Sequence, residues 1–420
     1  MSADDASSRR KKTVLVLAST YPRWRGDPEP GFVHDLCRRL VDHFNVIALV
    51  PDAPGADPDG LFDGVEVIRY RYAPRRLQTL VNDGGIAANL QRHAWKWLLV
   101  PGFLLGQYLA ARRLLRRRRI DVIHAHWLIP QGLVAWRLGR RTMTPYLVTS
   151  HGGDLFGLRG RMLTALKRRV AAASSAMTVV STAMREEAGR IGLRPPHIEV
   201  LPMGVDLRER FVVDPATARS PFELLFVGRL VAKKGLCHLL DALPAVLAQN
   251  PQVELRIVGF GPEEAALRSQ AGRLGIAAQV HFLGAMAQAG LPALYRHASL
   301  FVAPFVRDAH GDQEGLPVVL MEAIGCGCPV LVGEVAGIHD LLGAASADVC
   351  IKSEDTTALA AAIVKVLDSP EQALARAEAM REAAARWIDW QPIADGYARL
   401  LHDCADGANN SGAVKSDGRS

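Results

Sequence analysis

The chain has 420 residues, with 50 Lys and Arg against 43 Asp and Glu, and a formal net charge of +7. Its 49% hydrophobic and 22% charged content is ordinary for a globular protein, which excludes a disordered, collagen-like or disulfide-framework chain. The length allows two or three domains with a core each, and six scattered cysteines fit a reducing, cytoplasmic compartment.

Residues 1–12 end in Arg9-Arg10-Lys11-Lys12 and hold no apolar run, so they are predicted to be a disordered tail without an export signal. Residues 13–18 read as a buried strand and 32–43 as the amphipathic helix after it. Further strands are predicted at 45–50, 121–124, 146–150 and 177–181, with helices between most of them. The apolar stretch 97–111 contains Pro101 and Gln107 and is shorter than the roughly 20 residues a spanning helix needs. Arg112, Arg113 and Arg116 to Arg119 follow it, and Arg159, Arg161, Lys167, Arg168 and Arg169 form a second basic cluster. Basic charge beside Trp95, Trp97, Leu98, Leu99, Phe103, Leu104 and Leu105 suits peripheral attachment to an anionic membrane surface. No recognised nucleic-acid motif accompanies the charge, so nucleic acid is not expected as a partner.

After a polar stretch near 205–221 the alternation restarts, with strands predicted at 223–227, 253–258, 280–283, 300–303 and 330–332. Strands alternating with helices argue for an α/β fold of two doubly wound parallel-sheet units. Residues 404–420 carry too little apolar surface to fold and are predicted to be disordered.

Ligands of open α/β sheets bind at the carboxyl ends of the strands, so the loops that follow strands are where chemistry is sought. In Phe226-Val227-Gly228-Arg229-Leu230-Val231-Ala232-Lys233-Lys234-Gly235 a strand ends at Gly228 and a helix begins near Gly235. Arg229 and Lys234 are placed to converge on a diphosphate at that helix N-terminus, Arg as a fork and Lys as a point charge. In Gly311-Asp312-Gln313-Glu314-Gly315-Leu316-Pro317 the N–H groups of Gly315 and Leu316 would face the same cleft. Glu314 in that loop and Glu322 in the following helix suit hydrogen bonds to sugar and ribose hydroxyls.

These motifs, with Gly327-Cys328-Pro329-Val330, Pro202-Met203-Gly204-Val205-Asp206 and Val258-Gly259-Phe260-Gly261-Pro262, resemble the family-four retaining glycosyltransferases. His124-Ala125-His126-Trp127, Ser150-His151-Gly152-Gly153-Asp154 and Gly26-Asp27-Pro28-Glu29-Pro30-Gly31-Phe32-Val33 match the N-terminal half, with a likeness to members of bacterial surface-polysaccharide assembly. The resemblance spans about residues 13–402. It implies a GT-B architecture of two Rossmann-like domains facing across a cleft. Residues 13–205 would bind the acceptor, 206–385 the nucleotide sugar, and 386–403 would return as a helix to the first domain.

By position, the resemblance makes Arg229 and Lys234 the clamp for the diphosphate, Glu322 the ribose acceptor, and Glu314 with Gly315 and Leu316 the holder of the transferred sugar. Gly228 and Gly261 join the donor site. Gly31 would bring a backbone N–H to phosphate or acceptor, since a residue without Cβ permits close approach. His151 would reach toward the anomeric carbon, and Asp154 would orient it or touch the acceptor. The implied function is transfer of a sugar from a UDP- or GDP-linked donor to a hydroxyl of a glycan or lipid-linked saccharide, with retention. No cofactor and no metal are expected, and the location is cytoplasmic, with docking on the cytoplasmic face of the inner membrane. A nucleotide-sugar 2-epimerase of the same architecture and a non-catalytic protein that binds a nucleotide sugar or a glycan are the rival readings.

Four features are set aside. Cys326-Gly327-Cys328 lacks partners for a zinc site and reads as small core residues. Asp308, His310 and Asp312 read as solvated loop charge. His124 and His126 are expected on opposite faces of a strand, one buried and His126 lining the acceptor side. Asp340, in Gly337-Ile338-His339-Asp340, is expected to hold its loop rather than touch donor.

Overall fold

The computed structural model describes residues 10–82, 85–309, 311–335 and 337–413. The first unit contains strands β1 (Thr13–Leu17), β2 (Asn45–Pro51), β3 (Gly60–Phe62), β4 (Val65–Tyr70), β5 (Val122–His126), β6 (Tyr146–Ser150), β7 (Ala176–Val179) and β8 (Ile198–Val200). They form one sheet in the order β3-β4-β2-β1-β5-β6-β7-β8, parallel except where β3 pairs antiparallel with β4. The second unit contains β9 (Glu223–Val227), β10 (Glu254–Val258), β11 (Val280–Gly284), β12 (Leu300–Ala303), β13 (Val330–Gly333) and β14 (Cys350–Ile351). Their order is β11-β10-β9-β12-β13-β14, parallel throughout.

Continuous apolar strands follow from helices on both faces, which leave neither face to water. Along β1, Val14 and Val16 point into one hydrophobic cluster and Leu15 and Leu17 into another, the two-residue period of a strand. In β9, Leu224 and Phe226 likewise part from Leu225 and Val227. The order reverses beside β1 in the first sheet and beside β9 in the second. Those are the switch points at which open sheets leave a crevice at the carboxyl edge.

Val205 bridges Asp389, where the chain leaves the second unit. The helix Trp390–Ala413 then packs on the first sheet, burying Trp390, Ile393, Tyr397, Leu401, Cys404 and Ala405 with Val14, Val16 and Val122. The larger of these side chains contribute about 1.5–3 kcal/mol of burial each, which seats the returning helix on the first sheet. Tyr397 also donates to the Leu201 carbonyl at 3.0 Å.

Two terminal expectations are corrected. Residues 404–413 continue the helix rather than forming a tail, because Cys404 and Ala405 supply apolar contacts that their polar neighbours conceal. At the other end Arg10 pairs with Asp121 at 2.6 Å and Lys12 with Asp406 at 2.7 Å, so the tail prediction fails for 10–12. Residues 1–9 and 414–420 lie outside the described residues.

Candidate active site

The loop after β9 begins at Gly228, where a Cβ would stand 3.6 Å from the Lys234 stem. Lys234 lies over the Phe305 ring at 4.7 Å. The loop is seated by glycines with structural reasons of their own. A Cβ on Gly235, at φ +66°, would strike the Pro304 carbonyl at 1.8 Å, and one on Gly261 would meet the Leu230 carbonyl at 2.3 Å. Gly261 therefore lets its loop pack against the loop after β9.

Opposite that loop, Glu314 follows β12. Its Oε1 lies 3.3 Å from Lys233 Nζ and 3.4 Å from Lys234 Nζ. Burial pushes the Glu314 carboxyl up, but Lys233, Lys234 and Arg229 outweigh it and hold its pKa at about 2. Burial lowers both ammoniums as well. Lys233 gains from Glu314 and Asp312 and ends above the ordinary lysine value, whereas Lys234, facing Glu314 against Lys233 and Arg229, ends below it. Three cations and two carboxylates thus share one enclosed loop pair. Lys233 joins the cluster although no motif singles it out. Its signal was its place beside Lys234, but its partner Asp312 is remote in the chain.

Glu322 is not brought to Glu314's ion cluster. Only 2% exposed, it accepts from Gln288 Nε2 at 2.8 Å and from the Tyr295 hydroxyl at 3.1 Å. Burial raises its pKa to about 7 against those two bonds. Leu316 is buried in the main core. Gly315 sits against the first unit, where a Cβ would meet Met184 Sδ at 2.7 Å and the His151 carbonyl at 2.9 Å. Gly152, at φ +110°, faces the Gly315 nitrogen from the other side at 3.0 Å from its ideal Cβ. Arg159 donates to the Gly311 carbonyl at 3.1 Å, and Asp340 accepts from the Thr182 backbone N–H. The carboxyl edges of the two sheets therefore touch through these loops.

His151 follows β6 and lies between the rings of Phe32 and Trp127, with centroids 5.1 and 4.9 Å away. Trp127 holds the left-handed region at φ +73°, uncommon for a bulky residue. The His151 Nε2 is 2.9 Å from His126 Nδ1. Burial lowers the His151 pKa to about 3 and that of His126 further, so both imidazoles are neutral at physiological pH. Gly31 caps the helix Phe32–Leu40, and a Cβ there would meet nothing nearer than Pro22 at 3.7 Å. The fold itself does not demand glycine at that point.

Several expectations are corrected. His124 and His126 do not face opposite sides: residues two apart on a strand share a face, and the rings are 4.2 Å apart, both fully buried. His126 stands behind His151 and lines no acceptor surface. Asp154, expected to orient His151 or touch the acceptor, lines no open surface and bears on His151 through its backbone rather than its ring. It is buried, accepting from Leu128 N at 2.7 Å, Ser150 Oγ at 2.9 Å and His151 N at 3.2 Å, and so fixes the His151 backbone. The second basic cluster is partly internal: Lys167 is 1% exposed and donates to the carbonyls of Leu155 and Leu158. Asp312 is not solvated loop charge but pairs with Lys233 at 3.2 Å. His310 lies outside the described residues. Cys326 and Cys328 are fully buried.

Residues 208–387 match the family described as Glycosyl transferases group 1, and residues 32–204 match the Glycosyl transferase 4-like domain. A GDP-mannose-dependent alpha-(1-6)-phosphatidylinositol monomannoside mannosyltransferase from Mycolicibacterium smegmatis is 30% identical over 92% of this chain and 98% of its own length. The chain belongs to the group 1 glycosyltransferases. This glycosyltransferase is also 28% identical to a glycogen synthase from Mycobacterium tuberculosis, over 92% of the chain and 94% of that relative. A sucrose-phosphate synthase structure from Thermosynechococcus elongatus superposes with a TM-score of 0.74 at 20% identity, covering 93% and 98% of the two chains. That likeness is one of fold, and the fold is GT-B. Among the described residues no helix is long and apolar enough to cross a membrane.

Proposed function

We propose that this glycosyltransferase binds a UDP- or GDP-linked sugar against its second unit and passes the sugar, with retention, to a hydroxyl of a glycan or lipid-linked saccharide. The observation that carries the reading is the meeting of Lys234 and Glu314 at the carboxyl edge of one sheet, beneath the His151–Gly152 loop of the other. Arg229 and Lys234 hold the diphosphate. As the bond from the anomeric carbon to the diphosphate oxygen breaks, charge grows on that oxygen, and preorganised cations are most effective there. Glu314, ionised at any working pH, accepts from hydroxyls of the transferred sugar, and the Gly315 and Leu316 N–H groups hold the same sugar. Glu322 accepts from the ribose. The acceptor hydroxyl attacks on the leaving-group side and gives its proton to the departing diphosphate oxygen.

Two observations support the first-unit roles. A Cβ on Gly31 would meet only Pro22, at 3.7 Å, so the surrounding protein does not itself call for glycine there, which supports a role in close approach to a ligand. His151 is neutral, so it offers the sugar a hydrogen bond rather than a charge. GDP-mannose is the donor named for the mycobacterial relative, which supports a nucleotide-sugar donor without fixing the base.

The acceptor is proposed to be presented at an anionic membrane surface. Trp97, Leu98, Leu105 and Leu109 are 60%, 81%, 56% and 50% exposed, and Arg113, Arg116 and Arg117 continue the helix Leu99–Arg117 beyond them. Leu99 and Phe103, expected at that surface, are in the core instead. Each exposed Arg adds about 1 kcal/mol near an anionic leaflet. The deciding experiment incubates purified protein with UDP-, GDP- and ADP-sugars, with and without a lipid extract. Nucleoside diphosphate release that needs the extract supports transfer. Conversion of a nucleotide sugar with no acceptor present would point to the epimerase instead.

A further inference from the structure

Lys233 stands next to the diphosphate clamp and is tied differently from Lys234. Its Nζ lies 3.2 Å from Asp312 Oδ2 and 3.3 Å from Glu314 Oε1, the same oxygen that Lys234 approaches at 3.4 Å. Asp312 is fixed in turn: its N–H donates to Asp308 Oδ1 at 2.8 Å, and its Oδ1 accepts from Gln313 N at 2.9 Å. The Lys233 carbonyl accepts from Val306 N at 3.0 Å, which anchors the residue to the segment after β12. Lys233 is therefore held by two carboxylates and a backbone bond. Among these carboxylates Lys234 pairs with Glu314 alone, its ammonium resting on an aromatic face.

That asymmetry decides which lysine can follow a leaving group. A diphosphate brings about two negative charges into an enclosed site, where attraction for cations is strong. Lys234 can turn to it by giving up one carboxylate. Lys233 cannot without unpairing Asp312 and Glu314, whose side chains are only 24% and 15% exposed, and an unpaired, largely desolvated carboxylate is disfavoured.

We propose that Lys233, anchored by Asp312, is a positioning residue that holds the Glu314 carboxylate on the transferred sugar while Lys234 and Arg229 take the diphosphate. This rests on the reading of Glu314 as the holder of the sugar. Without Lys233, Glu314 and the diphosphate compete for Lys234. The competition matters most in the transition state, when the leaving oxygen carries most charge. The loss therefore falls on kcat more than on donor KM.

The test uses the full chain carrying Lys233→Met, Lys233→Arg, Asp312→Asn, Glu314→Gln or Lys234→Met. It reads kcat and donor KM, with UDP and GDP titrated calorimetrically against each variant. The expected result for Lys233→Met is a loss of roughly 100-fold in kcat, with donor KM and nucleotide affinity within about threefold. Lys233→Arg restores most of the rate, because a guanidinium spans two carboxylates. Asp312→Asn, which keeps the lysine but unties it, lowers kcat in the same direction and serves if Lys233→Met does not fold. Lys234→Met weakens the nucleotide itself by more than about tenfold. Normal kcat in both Lys233→Met and Asp312→Asn, with Glu314→Gln inactive, would overturn the proposal while leaving the sugar contact standing. A nucleotide affinity that falls as far in Lys233→Met as in Lys234→Met would overturn it too, by making Lys233 a phosphate ligand. Full activity in Glu314→Gln would instead remove the reading beneath it.

Discussion

Glu322→Gln measures what it costs this fold to bury a carboxyl in its second unit. The group is 2% exposed, and burial lifts its pKa from an ordinary 4.5 to about 7 despite the bonds from Gln288 and Tyr295. A folded-state pKa above the unfolded one means that the folded chain binds the proton more tightly. The associated stabilisation is complete below about pH 4.5 and lost as the pH rises through about 7. At about 1.4 kcal/mol per pKa unit the full swing is roughly 3 kcal/mol, and about 2 kcal/mol of it falls between pH 5.5 and 8.5. Glutamine keeps the size and has no charge to desolvate, so wild type minus variant isolates this one titration. The expected result is that Glu322→Gln gains on wild type as the pH rises, by roughly 2–3 °C in Tm between pH 5.5 and 8.5 for a chain of this length. Melting curves of both proteins at the two pH values are the assay. A Tm gap that does not change with pH would refute the reasoning, because the carboxyl would then not be paying a desolvation penalty in the folded state. The same variant should raise donor KM if the carboxylate takes a ribose hydroxyl.

Arg229→Ala and Lys234→Ala should each lower kcat by about 100-fold or more with the far-UV circular dichroism intact, and near-normal turnover in both would remove the clamp. Turnover should survive dialysis against EDTA, since cations of the chain answer the diphosphate; loss restored by Mg²⁺ or Mn²⁺ would bring Asp308 and Asp312 back as metal ligands. Trp97→Ser with Leu98→Ser should reduce co-sedimentation with anionic liposomes and leave turnover on a water-soluble acceptor unchanged. Equal, negligible binding of the unaltered protein to anionic and neutral liposomes would sink the membrane surface.

The buried strands were legible because parallel sheets covered on both faces are written as short, continuous apolar runs, as in 13–18, 223–227 and 300–303. Short edge strands such as Gly60–Phe62 and Cys350–Ile351 carry no such run and went unread. The loop after β9 was legible as a strand-to-helix turn because glycine, arginine and lysine stand at fixed spacing within it. What escaped were pairings across the fold. Lys233 stands in the motif with no role assigned by spacing, and its partner Asp312 lies far away in the sequence. Lys167 looked like part of a basic surface, yet it satisfies two carbonyls of the His151 loop's continuation. The histidines of β5 were misread for a simpler reason: a two-residue spacing on a strand places side chains together. The helix beyond residue 403 was hidden because a few small apolar residues sufficed once the first sheet offered a surface.

The most direct test of the central claim is a crystal structure of the protein with UDP or GDP, whichever binds more tightly. The account predicts both phosphates at the loop after β9, with Arg229 and Lys234 Nζ at hydrogen-bond distance, about 3 Å, and Lys233 still paired with Asp312 and Glu314. A nucleotide bound with its phosphates away from Arg229 and Lys234 would contradict it.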